Sequence, residues 1–176
     1  MRKIVAAVGA VCVSAMFVAG CDSISLSPGE YTTLRIAAAT QTKTGTCAPM
    51  NPNDTTTTNV RAGSTWLIWG ATSSTGDTFF VDDGKNVLQG AQQSDGSYQF
   101  IGKTTNVNTQ GMGTTVTTVE TDTITFTISG DNVSGTATTV TTTSCSGQCM
   151  GFNAQNCNTS TAFVGINVAG ADVSKP

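Results

Sequence analysis

Apolar and polar side chains alternate with period two in one segment after another of this chain. The clearest run is Thr123-Ile124-Thr125-Phe126-Thr127-Ile128, apolar on one face and threonine on the other, the pattern of a half-buried strand. A turn cluster, Ser129-Gly130-Asp131-Asn132, follows it, and the chain returns as Val133-Ser134-Gly135-Thr136-Ala137-Thr138. Placing Ile128 opposite Val133 keeps both faces of this hairpin in register. Further strands are expected at 31–40, 65–69, 79–81, 86–88, 98–101 and 162–168. Asp83-Gly84 and Asp95-Gly96 mark turns between them. No stretch after residue 29 sustains a helical period. The pattern predicts an all-β fold, an antiparallel meander of about eight strands.

Eight up-and-down strands can close into a small barrel, which removes the exposed edges of a chain with strong pairing tendency. Such a barrel is lipocalin-like in strand number and order only, and its interior is filled by side chains or holds one small ligand. A two-sheet β-sandwich is the competing architecture. Trp66, Trp69, Phe79, Phe80, Tyr98 and Phe100 lie in the central strands. They are expected to form the core or to line a ligand cavity.

The first 21 residues follow a different logic. Met1-Arg2-Lys3 is a basic start, and the fifteen apolar or small residues 4–18 are too few to cross a bilayer of about 30 Å securely as a helix. They suit the apolar region of a secretory signal helix. Val18-Ala19-Gly20-Cys21 closely resembles the lipobox of bacterial lipoproteins, small residues before an obligatory cysteine. The resemblance implies cleavage before Cys21, acylation of that residue and attachment of the mature chain to a bacterial envelope membrane. Three acyl chains exceed the two-signal threshold for stable anchoring. Residues 1–20 then form the signal peptide, 21–29 the lipidated cysteine and its tether, 30–170 a single β domain and 171–176 a C-terminal tail. Asp22 follows the cysteine, and which membrane leaflet it selects depends on the host's sorting rule.

Composition narrows the chemistry. The chain has 176 residues with 8 Lys+Arg, 11 Asp+Glu and no histidine, and only 11% are charged, against roughly 25% in a typical domain. Losing Arg2 and Lys3 with the signal takes the formal charge from −3 to −5. Without histidine there is no Ser-His-Asp or Cys-His catalysis and no imidazole metal site. The sparse acidic charge set gives no phosphate-neutralising surface, so nucleic acid is not an expected partner. Among 33 threonines, the tracts 55–58, 114–118 and 138–143 could present hydroxyl ladders, but they show no fixed repeat. Uncharged threonine is otherwise ordinary on the solvent face of a secreted β protein.

Cys12 leaves with the signal and Cys21 with the lipid, so four cysteines remain: Cys47, Cys145, Cys149 and Cys157. An even number in an exported protein reads as two disulfides. A zinc or copper site using these thiolates and the adjacent Met50 and Met150 is the weaker alternative, and no metal or cofactor is expected. In a meander, alternate connections lie at the same end. Segments 41–63 and 144–159 follow the first and seventh strands, so both Cys-bearing segments share one end, opposite the lipid. Because the first and last strands are neighbours in a closed barrel, the pairing expected is Cys47–Cys157 with Cys145–Cys149. Cys47–Cys149 with Cys145–Cys157 is the second choice.

No catalytic constellation is marked. Asp77, Asp83, Asp95 and Asp131 sit in turns, where aspartate binds backbone N–H groups. Asp82-Asp83-Gly84-Lys85-Asn86 has a calcium flavour without EF-hand spacing and reads as a hairpin turn. Glu120 and Asp122 share a strand face, with no partner or cleft visible in the sequence. The expectation is a non-enzymatic, lipid-anchored envelope module. It would bind an envelope protein or glycan through stapled loops far from the lipid. A carrier of a small apolar ligand is the alternative, and a carbohydrate-active enzyme a more distant one.

Overall fold

The computed structural model describes Leu26 and residues 30–47, 60–110 and 113–168. Eight antiparallel strands run in chain order: β1 (Tyr31–Thr46), β2 (Thr65–Ser73), β3 (Gly76–Asp82), β4 (Val87–Gln92), β5 (Tyr98–Gln110), β6 (Thr114–Ser129), β7 (Asn132–Ser146) and β8 (Gln155–Asn167). Each pairs with the next, and β1 also pairs with β8, so the sheet closes into a barrel. The sandwich is thereby set aside. Ile128 does face Val133 across the β6–β7 turn. The signal helix, Cys21, most of the tether and the C-terminal tail lie outside the described residues.

Period two decides what enters the core. Leu34, Ile36, Trp66, Ile68, Val81, Phe100, Ile124, Phe126 and Val133 are almost wholly buried, and apart from Thr33 beside Leu34 they alternate with exposed or half-exposed neighbours along their strands. The interior is therefore apolar and the outer positions of β6 and β7 are hydroxyl-rich, the reverse of an outer-membrane barrel with its polar lumen and apolar exterior. Inside, Phe126 stacks on Tyr98 and Phe100 at ring-centroid distances of 5.7 and 5.6 Å, while Trp66 meets Phe163 edge-on at 4.9 Å. Gly135 lies opposite both Phe126 and Phe163. A Cβ there would sit 2.6 Å from Phe126 Cβ and 2.8 Å from Phe163 Cζ, so the bare backbone makes room for two rings. The indole Nε1 of Trp66 is buried with no hydrogen-bond partner among the described residues, at a cost of about 1–3 kcal/mol.

Both mouths of the ring are plugged by residues from outside the strands. Leu26 belongs to the core, and its N–H donates to Tyr98 Oη at 3.1 Å. It closes the end where β1 and β5 begin, called here the N-terminal pole. Val60 joins the core from the β1–β2 connection. The returning chain is tied to β1 by Gly63 N–H to Ile36 O at 2.6 Å and Ile36 N–H to Ser64 O at 2.9 Å.

At Ile36 the barrel changes character. A register shift between Ile36 and Ala38 carries β1 away from β2, and from there to Thr46 it pairs with β8 alone. On the other side, β4 reaches only Ile101 of β5, and residues 102–110 pair with β6 alone. The closed ring is thus the lower half, and β5–β6–β7–β8–β1 continue beyond it as a five-stranded sheet. This corrects two expectations. Segments 41–46 and 155–159, expected within long loops, are strand, and so are 102–110. They lack one-sided apolar alternation because neither face covers a core, so their pairing comes from neighbours. The β7–β8 connection shrinks to 147–154, and residues 48–59 of the β1–β2 connection lie outside the described residues.

Candidate functional site

The hairpin turn between β3 and β4 builds the site from local chemistry. Asp82 Oδ1 accepts the Gly84 N–H at 2.8 Å. Asp83 Oδ1 accepts the N–H groups of Lys85 and Asn86 at 2.8 and 2.7 Å, and Gly84 takes the left-handed conformation that the turn requires. The two aspartates are spent on their own turn. The folded turn points Lys85 across β5 to Glu120 of β6, 3.1 Å away. The sequence marks no partner for Glu120. Lys85, 35 residues earlier, becomes that partner only when β3–β4 folds over the sheet.

Registers place the surrounding groups. Phe100 and Ile124 face the interior as a cross-strand pair, so the pairs above them, Gly102–Asp122, Thr104–Glu120 and Asn106–Thr118, face the same way. With Lys85 and Asn86, four of these residues (Thr104, Asn106, Thr118 and Glu120) line a hollow of about 260 Å³ at the lip of the ring. Its walls are hydroxyl and amide groups around one ion pair. Lys85 and Glu120 are 49% and 32% exposed, so the pair is screened and contributes at most about 1 kcal/mol to stability.

Asp122 lies one step deeper on the same face and is buried. Thr139 Oγ1 donates to its Oδ1 at 2.6 Å. Burial pushes its carboxyl above the ordinary aspartate range, the Thr139 hydrogen bond opposes this, and the neighbouring Glu120 charge adds to it. A raised folded-state pKa means a stabilising contribution that is complete below the unfolded pKa and lost as pH rises through the folded one. Asp122→Asn keeps an oxygen for Thr139 but carries no charge. The stability difference between wild type and D122N is therefore expected to move in the wild type's favour on acidification from neutral pH. Urea unfolding of both across that range checks the sign. A difference independent of pH contradicts it.

The structure divides the six aromatics singled out from the sequence. Trp66, Phe79, Tyr98 and Phe100 are inside the ring and in contact with other rings. Trp69 and Phe80 are not core: they are half-buried on the outer face, stacked at 5.5 Å. Parity explains it. Ile68 and Val81 point inward, so their immediate neighbours must point outward. None of the described pockets is lined by the four inner rings. A larger outer hollow of about 440 Å³ over β3–β5 exists where Gly90 and Ala91 leave short side chains. It lacks a charged pair and is open to solvent.

Cys47, Cys145, Cys149 and Cys157 are all engaged in disulfides. Cys47 is joined to Cys157 with Cα atoms 4.6 Å apart, and Cys145 to Cys149 at 6.0 Å. Both bridges lie at the end away from the N-terminal pole, beyond the hollow. Compared with protein-family models, curated proteins and solved structures, the chain matches none.

Proposed function

We propose that this protein is a bacterial envelope lipoprotein, anchored through Cys21, that binds an envelope glycan without chemical turnover in the hollow beside Lys85 and Glu120. The lipobox-like start and the two disulfides support an oxidising, extracytoplasmic setting. The observation that carries the binding reading is the hollow itself. Its hydroxyl and amide groups offer paired donors and acceptors to sugar hydroxyls. Within the hollow a protein partner would find little of the apolar surface that forms the centre of an interface. The carrier reading loses support because the inner aromatics fill the ring by contacting one another.

A second reading, a carbohydrate-active enzyme, is favoured by one arrangement only: buried Asp122 with its raised pKa beside Glu120 on the same face. One experiment separates them. Titrating isotope-labelled protein with soluble oligosaccharides from the host cell wall is expected to shift amides of residues 83–86, 104–106 and 118–122. Thr118→Arg, which fills the hollow, is expected to abolish the shifts while leaving the disulfides intact. Cleavage of the added sugars, lost in E120Q, supports the enzyme. Shifts elsewhere, or none, overturn the site.

A further inference from the structure

The outer surface of the ring is chemically two-sided. On β6 and β7 the outward positions are Thr121, Thr123, Thr125 and Thr127 facing Val140, Thr138, Thr136 and Ser134. Round the barrel, on β8, β1, β2 and β3, apolar residues stand at many of the outward positions, interspersed with Thr33, Arg35, Thr65 and Asp82. Val164, Ile166 and Val168 are 50%, 47% and 38% exposed, and Tyr31 is 39% exposed. Tyr31 opposes Trp69, which opposes Phe80, and the three rings form a row with centroids 6.1 and 5.5 Å apart. The Val168 N–H bonds to Thr33 O at 2.8 Å, joining the valine column to the aromatic row. Arg35 shares this face opposite Ile166, its Nη1 donating to Thr65 Oγ1 at 2.9 Å.

The chain outside the barrel indicates what covers this face. Leu26 is seated in the core at the N-terminal pole, beneath Tyr98. Cys21 is five residues upstream, a span of at most about 18 Å even when fully extended. Tyr31 and Val168 lie at the same pole. A lipid on Cys21 would therefore hold the patch within reach of the membrane surface. Tyrosine and tryptophan are the side chains that settle at the headgroup level, apolar body inward and polar tip in water. Arg35 adds a cation suited to anionic headgroups. We infer that the β8–β1–β2–β3 face lies against the bilayer, so that the barrel rests on its side with the hydroxyl-rich β6–β7 face outward. The inference rests on the lipoprotein reading.

The test uses the full chain, matured in a bacterial host and purified from its membranes, in vesicles of phosphatidylethanolamine and phosphatidylglycerol brominated near the headgroup. Trp66 is inside the ring and Trp69 outside, so shallow quenching reports on Trp69. Wild-type emission is expected to be quenched, with loss of quenching in Trp69→Phe. Ile166→Asp, at an exposed position, is expected to lose it too while keeping both disulfides. Acylated, vesicle-bound wild type with unquenched emission overturns the docking but leaves the anchor standing, and so does quenching unchanged in I166D. An unacylated Cys21, read from the mass of the N-terminal peptide, overturns the anchor and the docking with it.

Discussion

Replacing Cys47 and Cys157 by serine is expected to lower stability by about 4–5 kcal/mol, because their bridge closes a loop of 110 residues in the unfolded chain. Removing Cys145–Cys149, with a separation of four residues, is expected to cost about 2 kcal/mol on the same chain-entropy account. The fold gives the first bridge a second role. Residues 38–46 of β1 pair only with β8, so the bridge pins the far end of the seam that closes the barrel. Without it the far end of that seam depends on backbone pairing and two threonine hydrogen bonds, Thr42 Oγ1 to Ser160 O and Asn156 N–H to Thr46 Oγ1. Denaturant unfolding of the two double variants, C47S/C157S and C145S/C149S, checks the ranking. A short bridge that proves the costlier one rules out the entropic account.

Phe126→Ala is expected to cost about 3–5 kcal/mol, the range for truncating a fully buried aromatic. Phe126 is 1% exposed, stacks on Tyr98 and Phe100, and covers Gly135. Its removal leaves a void that the bare backbone of Gly135 cannot fill. Phe80→Ala, on the outer face, removes a ring of the same size and is expected to cost clearly less. Thermal unfolding of both variants measures the difference between the two faces of the sheet. Equal losses would place Phe80 inside the ring and contradict the register.

That comparison also shows what could be read in advance. The β6–β7 hairpin was legible because one face of it covers the core, and one-sided burial writes itself into sequence as alternation. Trp69 and Phe80 group with Trp66 and Phe79 on composition alone, because aromatic residues close in sequence look alike. Their odd spacings put them on opposite faces of a strand, and the inward pairing of Ile68 with Val81 decides which member of each pair faces out. The upper halves of β5 and β8 were invisible for a related reason. Lys103-Thr104-Thr105-Asn106-Val107-Asn108 has water on its outer face and a polar hollow on its inner one, so nothing selects a periodic pattern. Glu120 and Asp122 could be placed on one face from their spacing. Lys85 could not be placed beside Glu120, because that contact depends on how far β3 and β4 climb before they turn.

The sequence by itself determined the strand class, the number and order of the strands, and the parity that puts Cys47, Cys145, Cys149 and Cys157 at one end. These follow from local alternation and from the geometry of a meander, and both are properties of the chain read in order. Tertiary structure alone decided where the ring stops and the open sheet begins, which aromatics face outward, and that Lys85 meets Glu120 above a buried Asp122. Each of these depends on register between strands distant in sequence. Register is set by the packing of the closed core and not by any residue's own preference.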